Sequence, residues 1–372
     1  MKIVEQLVQK WYYNKKFFLG EVYMINNNIV KTKFKDIDVH NPFFNSLEQD
    51  YGGTAFLNWF KKKAEEGESG YVLYVNGEMN GFLYLKDETE EDLTITPVFE
   101  RKRRLKIGTF KINAHGTVLG HRFLSIALKE MIDKNFDFCY LTLFDKQEGL
   151  IRLFEKFGFK LWGRKSNGEL VYYKDLYDFD DIYKNFPRFN KKNKKYLLSI
   201  YPKFHTRIFP DSQLSTEKNH MVEDLSYTNS IEKIYITKMR KVAEFKKGDK
   251  IVIYRTAGEN VRAEYISVAT SICTVAELSN MYDYTLDEFL SYCKKGSIFT
   301  EDELRSFYKQ KKYPYIIKML YNIPLNKKII RHVLAEEVGL IRDEYWGCYE
   351  LTDYQFDNIL KKGEINESFI IN

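Results

Sequence analysis

The hydrophobic pattern changes its period within the stretch Arg104–Leu124. Over Arg104–Asn113 side chains alternate with a period of two, which predicts a strand, and Gly108 in its interior indicates a bulge or a close backbone approach. From Val118 onward the apolar residues recur at helical spacing. A helix that starts from such a turn aims its first N–H groups outward, at the positive end of its dipole. This arrangement predicts an anion site, usually for pyrophosphate, although an ordinary connection that binds nothing fits the same residues.

Beyond this helix the pattern predicts a strand, a short amphipathic helix and a hairpin. Gly158 directly follows the predicted helix Glu148–Phe157, at the position where a left-handed C-cap residue is favoured. Asn167-Gly168 is the strongest short-range hairpin signal. The predicted elements are the strand Asn135–Phe144, the helix Glu148–Phe157 and the paired strands Phe159–Arg164 and Glu169–Lys174.

The stretch upstream of residue 104 predicts two hairpins around a helical region. The region runs from about Asn41 to Lys63, and Tyr51-Gly52-Gly53 divides it into two pieces. The predicted hairpins join Phe18–Ile25 to Ile29–Phe34 through Asn26-Asn27-Asn28, and Tyr71–Val75 to Gly81–Lys86 through Asn76-Gly77.

The C-terminal half predicts several strands followed by helices with clear starts. The strand candidates are LLSIYPKFHTRIF, IEKIYITKM, GDKIVIYRT, AEYISVATSICTV, Tyr315–Leu320 and Trp346–Leu351, with a turn at Ala257–Asn260. Three capping boxes predict helix starts at Thr285/Glu288, Thr300/Glu303 and Thr352/Gln355.

The order of strand, glycine turn, helix, strand, helix ending in LFEKFGF and hairpin resembles the GNAT-type N-acetyltransferases. The upstream stretch FLNWFKKKAEEGESGYVLYVNGEMNGFLYLK also resembles the front half of GNAT-like proteins, so the resemblance covers roughly residues 1–176. It implies an α+β fold with a mixed sheet flanked by helices. It also implies that acetyl-CoA is the acyl donor and that its pyrophosphate lies in the first turn.

The resemblance implies a donor site on both sides of that turn. Backbone amides around Gly116–His121 would hold the pyrophosphate, the edge of Phe110–Ile112 would pair with the pantetheine amides, and Arg122 would add a charge-assisted contact. The implied residues are Phe110, Lys111, Ile112, His115, Gly116, Thr117, Val118, Leu119, Gly120, His121 and Arg122.

Three residues depart from the family pattern. The family loop reads Arg/Gln-x-x-Gly-x-Gly/Ala, and Gly120 takes its last place. His115 and Val118 then stand where the Arg/Gln and the middle glycine are expected, while Gly116 sits two residues earlier than that glycine. Phe154 stands where the family commonly has a tyrosine that protonates the departing thiolate.

Amine acetylation also requires a proton acceptor, because the attacking amine must lose a proton. No carboxylate lies within Arg104–Asn113. Asp145, at the end of the next predicted strand, and Tyr140 are the candidate base or acid. Structural functions for both residues fit the sequence as well.

The C-terminal half resembles PUA-like domains of the EVE or ASCH type, which implies a small β-barrel decorated by helices that binds RNA or a modified base. Against the ASCH pattern GxKxxExR, Gly248, Lys250 and Arg255 fit, but Ile253 replaces the glutamate. A barrel that serves dimerisation or stability is the alternative. The implied cleft residues are Tyr235, Tyr254, Arg255, Tyr265 and Trp346.

Composition fits a two-domain globular protein of 372 residues, with 44% apolar and 30% charged residues. We expect domains at 1–176 and 196–372 joined by a basic linker at 177–195. The start has no signal sequence, no stretch approaches the ~20 apolar residues of a membrane span, and four scattered cysteines suggest reduced core thiols. These features predict a cytoplasmic protein without a bound metal.

Two basic runs raise the question of nucleic acid. The linker residues Lys191, Lys192, Lys194 and Lys195 lie among aromatic residues, which suits either a solvated linker or contacts with phosphates and bases. Arg101-Lys102-Arg103-Arg104 follows the acidic loop Asp87–Asp92, so the two clusters either neutralise one another or receive an anionic acceptor. The net charge of +6 is too modest to decide.

Two functions follow from these patterns. In the first, the chain transfers acetyl from acetyl-CoA to an amine of an RNA-linked or protein acceptor, such as an aminoacyl-tRNA, that the C-terminal half selects. In the second, it is an RNA- or DNA-binding module on an inactive acetyltransferase scaffold. The oligomeric state does not follow from the sequence.

Overall fold

The structure is a computed structural model that describes residues 29–75, 77–113, 118–212, 230–258 and 262–371. The predicted strand Phe18–Ile25 and its Asn26-Asn27-Asn28 turn lie outside the described residues. Asn76 of the predicted Asn76-Gly77 turn and residues 259–260 of the predicted Ala257–Asn260 turn also lie outside the described residues. The chain divides into two compact units after Asn80.

The first unit contains a strand pair and two helices around an aromatic core. Strands β1 (Ile29–Lys33) and β2 (Ser69–Val75) pair antiparallel. Helices α1 (Asn45–Tyr51) and α2 (Thr54–Glu65) confirm the predicted division of the helical region, and Gly52 between them has a φ of 80°. The core contains the aromatic rings of Phe34, Phe44, Phe56, Trp59 and Phe60.

The second unit begins with a mixed sheet in the order β3-β5-β6-β8-β7-β4. Its strands are β3 (Glu78–Glu88, which starts at the unit boundary), β4 (Ile95–Thr96), β5 (Arg104–Ile112), β6 (Phe138–Leu143), β7 (Lys160–Lys165) and β8 (Leu170–Asp175). Helix α3 (Leu119–Asp133) follows β5, and α4 (Glu148–Lys156) follows β6. The predicted order of strand, helix, strand, helix and hairpin is confirmed, as is the positive φ of Gly158, 87°.

A connecting segment leads to a second sheet within the same unit. It contains α5 (Ile182–Asn185) and β9 (Phe189–Asn190), which pairs with β16 (Ile370–Ile371) near the C-terminus. Phe186 and Phe189 are buried. The segment predicted as a linker is therefore packed against the rest of this unit.

The second sheet has six strands in the order β11-β14-β13-β12-β10-β15. They are β10 (Lys195–Ile200), β11 (Glu232–Thr237), β12 (Lys250–Arg255), β13 (Val268–Asn280), β14 (Tyr315–Ile330) and β15 (Cys348–Leu351). The helices are α6 (Pro202–Ile208), α7 (Ala263–Ile266), α8 (Leu286–Cys293), α9 (Glu301–Gln310), α10 (Arg331–Glu336) and α11 (Asp353–Lys362).

The expected closed barrel is not formed by the described residues, whose second sheet is open, with β11 and β15 at its two ends. The outer edge of β11 is covered by α8, α9 and the turn between them, and it does not pair with another strand among the described residues. The Ile234 amide donates to the Gly296 carbonyl between α8 and α9 at 2.9 Å, and both helices pack on β11. A covered edge satisfies backbone groups that a barrel would satisfy by closure.

Two predicted strands are partly helical. Pro202 stands in the first turn of α6, where its missing N–H costs no hydrogen bond, so the strand ends at Ile200. Residues 263–266 form α7, and the following strand starts only at Val268. All three predicted capping boxes are confirmed.

The four cysteines are buried and free of disulfides, as core thiols would be. In the described ranges, no three His, Cys, Asp or Glu side chains converge to hold a metal ion. None of the helices in these ranges combines the length and the apolar run that crossing a membrane needs.

One buried histidine predicts a pH dependence of stability. His205 is fully buried, its Nε2 lies 2.8 Å from Thr270 Oγ1, and burial together with Arg255 and Lys328 lowers its pKa to about 3. Because the unfolded chain binds a proton that the folded chain excludes, stability falls as the pH drops below about 6. The loss from this group approaches ~1.4 kcal/mol per pH unit between about pH 6 and pH 4.

Urea unfolding of wild type and His205→Gln between pH 7 and pH 4 measures the contribution of His205 to the pH dependence of stability. In His205→Gln the free energy of unfolding is expected to fall less steeply with decreasing pH than in wild type. The surface substitution His40→Gln is expected to keep the wild-type slope. Equal slopes in wild type and His205→Gln would contradict the assignment.

Candidate functional site

Strands β5 and β6 are parallel neighbours that separate halfway along their length. Their ladder runs from Arg104↔Phe138 to Ile107↔Leu141 and then ends. β5 continues to Ile112 on its partner β3, and β6 continues to Leu143 on its partner β8. The facing edges of the two strands therefore part after Ile107. An extended ligand with amide groups can pair with such an edge as an added strand would.

Gly108 explains where the strands separate. The register of β5 against β3 shifts between Ile107 and Thr109, which leaves Gly108 as an extra residue, and such a bulge bends its strand. A Cβ at Gly108 would lie 2.8 Å from Tyr84 Cδ1, so no larger residue fits without a shift. Both features predicted for Gly108 are confirmed.

Helix α3 starts beside the open end of β5. Residues 114–117 are outside the described residues, so the predicted contacts of His115, Gly116 and Thr117 stay predictions. Val118 precedes the helix with φ 48° and ψ 33°, a left-handed conformation that strains a β-branched residue. The conformation fits the glycine that the family pattern expects at this place.

Gly120 lets the first turn of α3 pack closely against its neighbours. A Cβ there would lie 3.1 Å from Leu153 Cδ2 on α4 and 3.3 Å from Ile112 Cδ1 on β5. Phe110 completes this contact, because its ring packs on Phe154 at 5.3 Å between centroids. Phe154 is fully buried. Phe154 therefore contributes packing. It has no hydroxyl that could protonate a departing thiolate.

His121 and Arg122 face towards the second sheet. His121 packs edge-on against Phe157, and its buried Nδ1 has no hydrogen-bond partner among the described residues. Burial and then Lys156 lower its pKa to about 4, so the ring is neutral at pH 7. Arg122 Nη2 lies 3.7 Å from Asp211 Oδ1. Lys111 lies on β5 within the open stretch, and Leu119 is buried in the first turn of α3.

The two proposed proton carriers differ in environment. Tyr140 is fully buried and donates its hydroxyl to Glu88 Oε2 at 2.5 Å; burial and the Glu88 carboxylate raise its pKa. Burial alone would raise the pKa of Glu88, but Lys106 and the hydrogen bonds from Lys86 and Tyr140 hold it below its ordinary value. Asp145 is exposed and lies 3.5 Å from Arg164.

A buried carboxylate that the sequence did not single out lies beside the opening. Thr142 is the first β6 residue beyond the last β5–β6 pair, and its hydroxyl donates to Glu169 Oε1 at 3.2 Å. Asn167 Nδ2 donates to the other Glu169 oxygen at 2.9 Å, and Glu169 is only 2% exposed. The hairpin signal at Asn167-Gly168 identified the turn but not the position of this neighbouring carboxylate.

The basic and acidic clusters before β5 neutralise each other. Arg101 pairs with Glu90 at 3.2 Å and Arg103 with Asp87 at 2.9 Å. Arg104 is buried, and its guanidinium donates to the carbonyls of the same acidic loop. These contacts favour mutual neutralisation of the two clusters over an anionic acceptor.

The predicted cleft residues divide between the two faces of the second sheet. Tyr254 and Trp346 belong to the core on one face, with ring centroids 5.6 Å apart, whereas Tyr235 belongs to the core on the other. Arg255 is buried at the end of β12, and Tyr265 is 62% exposed.

Additional charged side chains border the Tyr254–Trp346 face. The Arg331 guanidinium lies 4.1 Å from the Trp346 ring centroid, and His332 lies against Tyr265. Arg331 and His332 were not identified from the sequence, because α10 carries no motif.

The basic run of the connecting segment is largely paired. Lys191 contacts Asp357 at 2.9 Å, Lys194 contacts Glu350 at 2.9 Å, and Lys195 is buried against Asp353. Lys192 is exposed. Nucleic acid that bound here would have to compete with three acidic side chains.

No family model and no curated protein matches the chain. Parts of the chain are similar to solved structures. A GNAT-family acetyltransferase from Listeria monocytogenes is 19% identical over 36% of this chain and 83% of its own, with a TM-score of 0.28. The PaiA N-acetyltransferase from Thermoplasma acidophilum, in complex with coenzyme A, is 16% identical over 35% and 76%, with a TM-score of 0.25.

A mutant ASCH protein from Zymomonas mobilis is also similar, at 10% identity over 45% of this chain and 96% of its own, with a TM-score of 0.30.

The Gly108 bulge predicts the effect of adding a single methyl group. Gly108→Ala drives Cβ into the Tyr84 ring, so we expect the free energy of unfolding to fall by about 1–3 kcal/mol. The clash also lies where the strands part, so a ligand held at the opened edge of β5 should bind less tightly.

Gly149→Ala is the matched control, since nothing lies within 4 Å of a Cβ there and alanine favours the helix. Urea unfolding and titration calorimetry give both quantities. A Gly108→Ala protein as stable as the control would contradict the close approach.

Proposed function

We propose that this chain transfers an acetyl group from acetyl-CoA to an amine. The observation that carries the proposal is the separation of β5 from β6 at the Gly108 bulge, directly before the helix start at Val118. An open strand edge suits the pantetheine amides, and a helix N-terminus suits the pyrophosphate. The two features follow one another along the chain, in the order in which a single extended donor would need them.

The chemistry requires one nucleophile, one thioester and two proton transfers. The amine nitrogen attacks the thioester carbonyl, a C–N bond forms, and the C–S bond breaks to release the CoA thiolate. The proton lost by the amine goes to a base or to water, and the thiolate takes its proton from solvent, because Phe154 supplies none. Positioning of the two reactants contributes much of the rate in such a reaction.

The acceptor is an amine of an RNA-linked or protein substrate that the second sheet helps to select. Tyr265 on α7 is 62% exposed and lies against His332, so its ring is available for stacking on a base, whereas Tyr254 and Trp346 are buried in the core.

Three variants separate the proton carriers. We expect Glu169→Gln to lower kcat by about 10²-fold or more without changing acetyl-CoA affinity, because Glu169 lies beside Thr142 at the opening. Asp145→Asn removes the exposed carboxylate, and Tyr140→Phe removes the Glu88 contact.

The measurement is CoA release from acetyl-CoA with peptides and aminoacyl-tRNA as acceptors, together with calorimetry. If Asp145→Asn alone lowers kcat, Asp145 is the base and Glu169 is structural. No binding at millimolar acetyl-CoA would end the enzyme proposal.

A second candidate function is nucleic-acid binding on an inactive scaffold, which the engaged Tyr140 hydroxyl and the missing hydroxyl at Phe154 favour. In this case affinity for single-stranded RNA should fall steeply with salt. Lys191/Lys192/Lys194→Ala should reduce the slope of log K against log salt by up to about 2, given ~0.7 per phosphate contact.

Lys195 is left intact because it is buried. Lys309/Lys311/Lys312→Ala provides a control of equal charge. An unchanged slope in the first variant would remove the connecting segment from the interface.

A further inference from the structure

One carboxylate connects three neighbouring strands of the mixed sheet, on the side of Gly108 where β5 and β6 are still paired. Glu88 belongs to β3, and its Oε2 accepts a hydrogen bond from the Tyr140 hydroxyl of β6 at 2.5 Å. Its Oε1 accepts a hydrogen bond from Lys86 Nζ at 2.7 Å and lies 3.8 Å from Lys106 Nζ of β5. Because β5 lies between β3 and β6, the Glu88 and Tyr140 side chains meet across it.

These contacts, which we call the Glu88 clamp, lie close to the point where β5 and β6 part. The pair formed by Lys106 and Tyr140 is the third of the four pairs between these strands. On the other side of β5, Lys106 pairs with Lys86. The Glu88 carboxylate therefore contacts side chains from all three strands of this row, one pair before the opening.

The contact between Glu88 and Tyr140 is shielded from solvent. Tyr140 is fully buried, and the Glu88 side chain is 13% exposed. Although burial would raise the pKa of Glu88, Lys106 and the hydrogen bonds from Lys86 and Tyr140 lower it, so Glu88 is ionised at pH 7. A hydrogen bond to an ionised carboxylate is stronger than one between neutral groups.

The Gly108 bulge explains why β5 bends away, but it does not explain what keeps the preceding pairs intact. Parallel ladders are slightly less stable per residue than antiparallel ones. A parallel ladder of only four pairs that ends in a bend is therefore liable to open further from that end. A buried, charge-assisted hydrogen bond from β3 to β6 opposes such opening, because it holds the outer two strands together across β5.

On the basis of the acetyl-CoA site proposed above, we propose that Glu88 and Tyr140 are positioning residues that keep β5 and β6 paired up to Ile107. They thereby fix the length of the free β5 edge and the register in which a pantetheine arm pairs with it. A longer edge would offer the donor more than one register. Tyr140 then acts through Glu88 and not as a proton carrier, which agrees with its complete burial.

Hydrogen–deuterium exchange of the ligand-free protein tests the Glu88 clamp without acetyl-CoA. Tyr140→Phe keeps the buried ring and removes the hydroxyl, and Glu88→Gln keeps the volume and removes the charge. In both variants we expect the amides that join Arg104–Ile107 to Phe138–Leu141 to exchange about tenfold faster than in wild type.

Asp87→Asn is the matched control for these variants. Asp87 lies on the same strand as Glu88, but it is half exposed and pairs with Arg103 at the surface. Its exchange pattern should match that of wild type. The amides of Ile272–Val275 in β13 report on global unfolding and should not change in any variant.

Calorimetry and kinetics connect the Glu88 clamp to the donor. We expect Kd and KM for acetyl-CoA to rise about fivefold or more in Tyr140→Phe and Glu88→Gln, with kcat at saturating acetyl-CoA nearly unchanged. The double variant should lose no more affinity than the weaker-binding single variant, because both substitutions remove the same contact.

Three results would overturn the proposal. The first is wild-type exchange in both variants, and the second is an equal acceleration at Ile272–Val275, which would mean global destabilisation. The third is a lower kcat in Tyr140→Phe with acetyl-CoA affinity unchanged, which would make Tyr140 a proton carrier. Local acceleration in a protein whose wild type binds no acetyl-CoA would instead support the Glu88 clamp and refute the proposed acetyl transfer.

Discussion

The separation of two parallel strands at a single glycine is the constraint on which the rest of the site depends. Gly108 has no side chain, so Tyr84 packs onto its backbone while β5 takes one extra residue against β3. The bulge bends β5 away from β6 after only four paired residues. Without this bend the ladder would continue, and no strand edge would open beside the start of α3. The proposed donor site thus depends on backbone geometry more than on any catalytic side chain.

Helix α3 connects this site to the second sheet. Its first turn packs through Gly120 on β5 and α4, while Arg122 and Lys129 face Asp211 and Tyr321. Tyr183 and Lys156 add contacts with Glu232 on β11, at 2.6 and 2.8 Å. One helix therefore contributes side chains to both places.

Local signals could be read from the sequence, and contacts distant along the chain could not. The change of period after Asn113, the Asn167-Gly168 hairpin and the capping boxes each depend on neighbouring residues, so these elements were predicted. The acid–base environment was not, because Glu88 meets Tyr140 and Thr142 meets Glu169 only after the sheet has formed. Pro202 could have been read as a helix start, yet the apolar residues around it favoured a strand. The open second sheet depends on how α8 and α9 cover β11, which no single segment specifies.

Hydrogen–deuterium exchange with and without acetyl-CoA tests the central claim most directly. If the pantetheine pairs with the opened edge, amides within Thr109–Ile112 will exchange more slowly with acetyl-CoA bound, while Phe138–Leu141, already paired on both sides, will not change. Saturating acetyl-CoA that leaves exchange at Thr109–Ile112 unaltered would contradict the account, because the donor would then be bound elsewhere.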